Sequence, residues 1–319
     1  MTFLQNILSH SALHSDLQTL VPALGSVRHS VEKLPEYDNI AVSFDPRSGT
    51  YRCGMQSPGR PVVTSALLKD IRHMQDAMPA FAASAAAAGQ PVNYFVFASN
   101  KPGVFSLGGD LRYFAESVQT GDRHTIHAYA RACVDVVHRN LNAFGLPLVT
   151  VALVQGDALG GGFETALSFD VIIAERSAKM GLPEVLFNLF PGMGAYSVLS
   201  RRLDAARAER LIMSGKIYTA EELHAMGLVD VLAEDGQGEA VLAEYIEKNK
   251  AKHNAHLAIY KTRRRVNPIL WEELRDVVDI WVDAVFNLSE ADRSKMARLT
   301  AAQERRFRSV QPDRLAASA

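Results

Sequence analysis

Short apolar runs alternate with longer stretches of helical spacing over much of the chain. Three runs are rich in β-branched and aromatic residues, as buried strands of a parallel sheet are. They lie at 91–99, 148–154 and 170–175. Two further segments, 39–46 and 50–56, alternate apolar and polar residues on either side of a turn and predict two more strands. Strands that alternate with helices predict an α/β fold.

Helical periodicity predicts two long helices between these strands. The first starts near Thr64 or Ser65 and stops before Gly89, and Pro79 should kink or divide it. The second covers 124–144, where apolar residues recur at helical spacing.

The last third of the chain has a mostly helical pattern. Thr219 and Glu222 predict a capping box, and Gly227 is a suitable helix end. Three more helices are predicted at 238–251, 268–288 and 290–307. The pattern divides the chain into an N-terminal extension (1–35), a core (36–235) and a C-terminal α-helical region (236–319).

Composition narrows the class of protein without naming a function. The 319 residues are 48% hydrophobic and carry a formal net charge of −1, so no overall field attracts nucleic acid. Cys53 and Cys133 lack metal-ligand spacing, and we expect no metal site and a reduced, cytoplasmic protein. We recognise no signal peptide and no apolar run long enough to span a membrane.

Two glycine-rich turns each lie between a predicted strand and a helix. They are "FSLGGDL" at 105–111 and "GDALGGGFE" at 156–164. Glycine lets the backbone approach a ligand, and a helix start offers unpaired N–H groups. No Walker sequence or dinucleotide fingerprint is present, so an oxyanion hole is a better interpretation than a phosphate loop. Tight strand–helix packing is the alternative explanation for the glycines.

The residues at 156–195, "GDALGGGFETALSFDVIIAERSAKMGLPEVLFNLFPGMGA", resemble the crotonase (enoyl-CoA hydratase/isomerase) superfamily. "FSLGGDL" is similar to the oxyanion loop of that superfamily. Within it, "ALVQGDALGGGFETALS" at 152–168, "MGLPEVLFNLFPGMGAYS" at 180–197 and "IWVDAV" at 280–285 are most similar to bacterial diffusible signal factor synthases. The resemblance implies a ClpP-like spiral of β-β-α repeats followed by helices, in a homotrimer or a dimer of trimers. It also implies that Gly109 and Gly161 form the oxyanion hole, and that Glu164 and Glu184 are the catalytic acid and base.

The resemblance implies a reaction as well. A 3-hydroxyacyl thioester would be dehydrated to the cis-2-enoyl form and hydrolysed to a free cis-2-unsaturated fatty acid, a quorum-sensing signal. The substrate would be carried on the phosphopantetheine of acyl carrier protein (ACP) or coenzyme A, without a separate cofactor, and a sensor protein could regulate the enzyme. Two alternatives stay open: a conventional trans-2-enoyl-CoA hydratase of fatty acid degradation and a non-catalytic binding protein. Taken alone, Glu184 after Pro183 also fits an ordinary helix start.

Two further groups of residues are candidates for substrate contacts. An apolar segment after Glu184 and a late tryptophan predict an acyl pocket formed by Leu186, Phe187, Phe190, Met193 and Trp281. A basic segment predicts a patch for the carrier or for coenzyme A phosphates, formed by Lys261, Arg263, Arg264 and Arg265. Ordinary core packing and a solvated helix face are the alternatives for these two groups.

Overall fold

A computed structural model describes residues 33–309. The predicted N-terminal extension therefore lies almost entirely outside the described residues. Within 33–309, no helix combines the length and apolar character needed to cross a bilayer.

A six-stranded sheet forms the centre of the fold, in the order β1-β2-β3-β5-β7-β10. Its strands are β1 (Ile40–Asp45), β2 (Thr50–Met55), β3 (Tyr94–Ser99), β5 (Val149–Val154), β7 (Val171–Glu175) and β10 (Val231–Ala233). Only the β1–β2 pair is antiparallel. All five strands predicted from hydrophobic runs and alternation are confirmed.

A second, four-stranded sheet has the order β4-β6-β8-β9. Its strands are β4 (Gly103–Ser106), β6 (Gly156–Leu159), β8 (Lys179–Gly181) and β9 (Ile217–Thr219). Strands of three or four residues show no readable period, and the hydrophobic pattern therefore missed this sheet. The first unit, β1-β2-α1, has both strands in the large sheet, whereas each of the pairs β3–β4, β5–β6 and β7–β8 places one strand in each sheet. The predicted α/β spiral is confirmed.

Eleven helices are present within 33–309. They are α1 (Ser65–Ala87), α2 (Leu111–Gln119), α3 (Arg123–Leu141), α4 (Gly161–Leu167), α5 (Ala195–Arg202), α6 (Ala205–Ser214), α7 (Ala220–Ala225), α8 (Gly238–Lys250), α9 (His253–Val266), α10 (Trp271–Phe286) and α11 (Glu290–Ser309). Thr64 caps α1 by accepting a hydrogen bond from the backbone of Leu67. The capping box of Thr219 and Glu222 is confirmed at the start of α7.

Two helix predictions need correction. Pro79 does not divide α1, which continues through it to Ala87; proline in a helix interior removes one hydrogen bond, and the buried apolar face of α1 offsets that loss. Helix α9 was not predicted, because none of its residues is buried and its sequence has no apolar stripe.

The core occupies both faces of the large sheet. On one face, Phe95 and Phe97 belong to a core that also contains residues of α1, α3 and α10, and α10 packs on α3. On the other, Tyr94, Val96 and their neighbours are covered by α8 and α9. Helix α10 contributes Leu274, Val278, Trp281 and Val285 to the first core, and all four are buried. The first core surrounds both glycine turns.

Candidate active site

The first glycine turn runs from the end of β4 to the start of α2. Gly108 has a φ of +88°, and a side-chain carbon there would lie 2.7 Å from the carbonyl oxygen of Leu159. A neighbouring extended segment pairs with the turn: Leu107 N donates to Pro61 O, and Val63 N donates to Gly108 O, both at 2.8 Å. Only glycine fits at position 108, and the turn is held from one side by this segment.

The second glycine turn joins β6 to α4. Gly160 has a φ of +52°, and its N–H donates to Gly181 O at 2.8 Å. A side-chain carbon on Gly160 would lie 2.4 Å from Oε1 of Glu184, and one on Gly161 would lie 3.5 Å from the backbone nitrogen of Gly109. The peptide nitrogens of Gly109 and Gly161 are therefore neighbours, as an oxyanion hole requires.

Glu164 lies on the first turn of α4 and is 3% exposed. Its Oε1 accepts hydrogen bonds from the backbone N–H groups of Met193 at 2.7 Å and Ala195 at 3.0 Å. Burial raises the pKa of this carboxyl, and the two N–H donors partly offset the effect because they stabilise the ionised form.

Glu184 lies in a short 3₁₀ turn, Pro183–Phe187, that follows β8. Its Oε1 faces Gly160, and its Oε2 is enclosed without a hydrogen-bond partner among residues 33–309. Burial, followed by the charge of Glu164, raises the pKa of Glu184. The two N–H donors favour the ionised form of Glu164, and Oε2 of Glu184 has no such donor, so a proton shared by the pair is more favourable on Glu184.

A cavity of about 60 Å³ connects the two turns and the two glutamates. Its remaining walls are mostly apolar. Phe187, Phe190, Met193 and Trp281 all line it, as the predicted acyl pocket requires. The Trp281 ring lies edge-on to Phe114 with centroids 5.3 Å apart, and it touches Gly192 so closely that a side chain there would collide with it.

Leu186 does not line this cavity, which corrects its assignment to the acyl pocket. It is 38% exposed and packs against Gly215, at the end of α6. The 3₁₀ turn explains the difference, because neighbouring residues on it point in different directions. Glu184 and Phe187, three residues apart, share the cavity side.

The predicted basic patch is largely an internal ion cluster. Arg263 and Arg264 both pair with Asp170, whose side chain is 2% exposed. The Arg264 side chain is 17% exposed, whereas the Arg263 side chain stays 40% exposed, so only Arg264 is largely withdrawn from the predicted patch. Lys261 and Arg265 are exposed, and their contact with a carrier stays a prediction.

Sequence reasoning did not single out Tyr129, Cys133 and Phe114, although all three line the cavity. Tyr129 and Cys133 lie on α3, and Phe114 on α2. Their only signal was helical apolar spacing, which most core residues share. Within 33–309, no group of three or more His, Cys, Asp or Glu side chains is arranged to hold a metal ion.

Comparison with known families identifies the class of protein that the fold and the paired glutamates indicate. Residues 72–267 match the enoyl-CoA hydratase/isomerase family model, and the chain belongs to that family. A rat relative, the mitochondrial methylglutaconyl-CoA hydratase, is 32% identical over 157 residues, or 49% of this chain and 48% of that protein. The chain thus spans about half the length of the curated relatives that it matches.

Solved structures share the fold. The enoyl-CoA hydratase of Bacillus halodurans superposes with a TM-score of 0.67 at 19% identity, over 82% of this chain and 99% of that one. The human mitochondrial delta3-delta2-enoyl-CoA isomerase also gives a TM-score of 0.67, at 18% identity, over 84% and 99% of the two chains.

Proposed function

We propose that this protein is a lyase that adds or removes water at the α and β carbons of an acyl thioester. The observation that carries the proposal is one apolar cavity lined by two glutamates, the buried Glu164 and the half-buried Glu184, and by two neighbouring glycine peptides. A thioester oxygen that gains charge would accept hydrogen bonds from the N–H groups of Gly109 and Gly161. Donors of this kind stabilise an enolate by about 3 to 4 kcal/mol each.

The glutamate pair supplies both proton transfers. In dehydration, one carboxylate takes the α-proton, and the other carboxyl protonates the β-hydroxyl, which leaves as water. Hydration is the reverse, so the pair needs one proton between Glu164 and Glu184 in either direction. The surroundings of the pair support a single shared proton. Glu164 accepts hydrogen bonds from two N–H groups that stabilise its negative charge, and Oε2 of Glu184 is enclosed without a hydrogen-bond partner among residues 33–309.

We further propose that the physiological reaction converts a 3-hydroxyacyl-ACP to the cis-2-enoyl form and then releases the free cis-2-unsaturated acid. The similarity of 152–168, 180–197 and 280–285 to signal factor synthases supports this step. In the release, water attacks the thioester carbon, the tetrahedral oxyanion uses the same two N–H donors, and the C–S bond breaks to give the acid and the carrier thiol. The apolar walls suit a hydrocarbon chain.

Conventional hydration of a trans-2-enoyl-CoA is the second candidate. It is favoured by the curated relatives, several of which are named as hydratases. In this case the paired glutamates would add water and the thioester would stay intact.

The test separates the two candidates by product. Purified protein is given 3-hydroxydecanoyl-ACP, 3-hydroxydecanoyl-CoA or trans-2-decenoyl-CoA, and free acids, thiols and thioesters are followed by mass spectrometry. Free cis-2-decenoic acid with equimolar thiol supports the signal synthase. Rapid hydration without free thiol supports the hydratase.

Variants show whether the described site does the chemistry. Glu164→Gln and Glu184→Gln should each lower turnover by about 100-fold or more. Glu247→Gln, an exposed change on α8, is the matched control and should keep it. Wild-type turnover in both site variants would contradict the proposed roles, and no turnover of any of the three thioesters by the wild type would contradict the enzyme class.

Assembly as a homotrimer or a dimer of trimers is also proposed. Three large apolar side chains on α9 and the loop after it are exposed in the single chain: Ile259, Val266 and Leu270. Such a patch suits a contact with another subunit. Light scattering on the purified protein tests this, and a monomer at micromolar concentration would contradict it.

A further inference from the structure

The direction of an oxyanion donor is set by the other end of its own peptide group. In a planar trans peptide, the C=O and the following N–H point in opposite directions. A hydrogen bond that holds the C=O therefore also aims the N–H. The Gly160 carbonyl accepts from Glu164 N at 3.0 Å, as the first hydrogen bond of α4, and this aims the N–H of Gly161. The second donor is thus fixed by its own helix.

The N–H of Gly109 has no such helix to aim it. It shares a peptide with the Gly108 carbonyl, and that carbonyl accepts from Val63 N at 2.8 Å. Val63 lies in the segment before α1, outside any strand, and pairs with Gly109 in a single parallel bridge. The aim of this donor therefore depends on what holds Val63.

Tyr129 holds Val63 from the other side. Its hydroxyl donates a hydrogen bond to the carbonyl oxygen of Val63, across 66 residues of sequence. The side chain is 5% exposed, and its ring packs against Phe114 at 5.2 Å between centroids and against Tyr113 at 5.6 Å. Burial raises the pKa of this phenol, so it remains a protonated donor.

We propose that Tyr129 is a positioning residue for the oxyanion hole. Its hydroxyl fixes Val63, Val63 fixes the peptide between Gly108 and Gly109, and this peptide aims its N–H at the thioester oxygen. The inference rests on the proposed function, because it needs the oxyanion hole to act on a thioester. It assigns a role to a side chain that transfers no proton to or from the substrate.

The test is Tyr129→Phe, which removes the hydroxyl and keeps the ring. Tyr94→Phe is the matched control, since Tyr94 is also buried but lies in the core on the opposite face of the large sheet. We expect kcat of Tyr129→Phe on the substrate turned over by the wild type to fall about 10- to 100-fold, with KM within about twofold. The control should keep both values.

A spectroscopic measurement distinguishes a loss of direction in the Gly109 N–H donor from a general loss of stability. The ketone analogue of butyryl-CoA, with a methylene group in place of the thioester sulfur and a ¹³C-labelled carbonyl, can be neither dehydrated, hydrated nor hydrolysed, and its bound carbonyl stretch reports polarisation by the two N–H donors. The wild type should move this band to lower frequency, and Tyr129→Phe should lose a large part of that displacement. Hydrogen exchange of peptides covering 61–64 and 107–110 should become faster in this variant only.

Each outcome decides a different point. An unchanged band and unchanged kcat in Tyr129→Phe would overturn the positioning role while leaving the oxyanion hole intact. A wild-type band that does not move on binding would overturn the oxyanion hole and the positioning role together. Should Tyr129→Phe unfold, 4-aminophenylalanine at position 129 replaces the hydroxyl by a weaker donor of similar size. The band displacement should then shrink, and a displacement equal to that of the wild type would overturn the role.

Discussion

Replacing Glu184 by glutamine should make the folded protein more stable, and the gain should grow as the pH rises. The unfolded chain loses this proton near the usual carboxyl pKa of 4.5, whereas burial and then Glu164 raise the pKa to about 8 in the folded protein. Between these values the unfolded state binds fewer protons than the folded state, and the free energy of unfolding falls as pH rises. Glutamine has a similar shape and no proton to lose.

The size of the effect follows from the two pKa values. One pKa unit corresponds to about 1.36 kcal/mol, so a pKa moved from 4.5 to about 8 sets an upper limit of about 5 kcal/mol above that pH. Part of this comes from repulsion with Glu164, which the neutral glutamine relieves, whereas burial keeps the pKa of Glu164 raised. We therefore expect Glu184→Gln to gain about 2 to 5 kcal/mol at pH 9 and much less near pH 5.

Urea unfolding of the wild type, Glu184→Gln and Glu247→Gln at about pH 5, 7 and 9 measures this gain. Glu247 is an exposed residue of α8, and its variant should follow the wild type at each pH. A gain in Glu184→Gln that does not change with pH, or a loss of stability at high pH, would refute the reasoning. The same variant should lose activity, so the buried carboxyl would be kept at a cost to stability.

Three further predictions concern other parts of the structure. Asp170→Asn leaves Arg263 and Arg264 without their buried partner and should lower the free energy of unfolding in urea by about 3 to 5 kcal/mol. The control Arg265→Ala changes an exposed residue and should lower it by less than about 0.5 kcal/mol. Equal effects would contradict the ion cluster. Gly160→Ala puts a carbon 2.4 Å from Oε1 of Glu184 at a φ of +52° and should lower kcat about 100-fold, so wild-type kcat would show that the turn adapts. Burial raises the pKa of the Cys133 thiol, so iodoacetamide should alkylate it at least about 100-fold more slowly in the native protein than in urea. Mass spectrometry of the peptide that contains Cys133 measures the two rates, and similar rates would contradict its burial.

Local chemistry made much of the site predictable. The two glycine-rich turns were readable directly, whereas Glu164 and Glu184, taken singly, fit ordinary helix starts. The resemblance supplied the pairing of the two carboxyls and the roles of Gly109 and Gly161. The strands of the large sheet were readable because they are buried on both faces and rich in β-branched residues.

Contacts between distant segments account for what the sequence did not reveal. Arg263 and Arg264 look like part of a solvated helix face, and only the fold brings Asp170, more than 90 residues away, against them. Tyr129 has the same spacing as any core residue of α3, and nothing local indicates that its hydroxyl meets Val63. Periodicity reports which face of an element is buried, but not which partner it meets there.

The parallel pairing of β4 with β6 sets the distance between the two N–H donors, those of Gly109 and Gly161. After a register shift between Val104 and Ser106, Ser106 pairs with Ala158, so the two glycine turns follow neighbouring strands from the same level of the sheet. Adjacent strands lie about 4.8 Å apart. A side-chain carbon on Gly161 would lie 3.5 Å from the nitrogen of Gly109, so the two N–H groups are close enough to converge on one oxygen. Inserting or deleting one residue in 106–109 or 158–161 would displace one donor by about 3.3 Å and reverse its direction. These two four-residue stretches should therefore tolerate no change of length, however freely loops elsewhere vary.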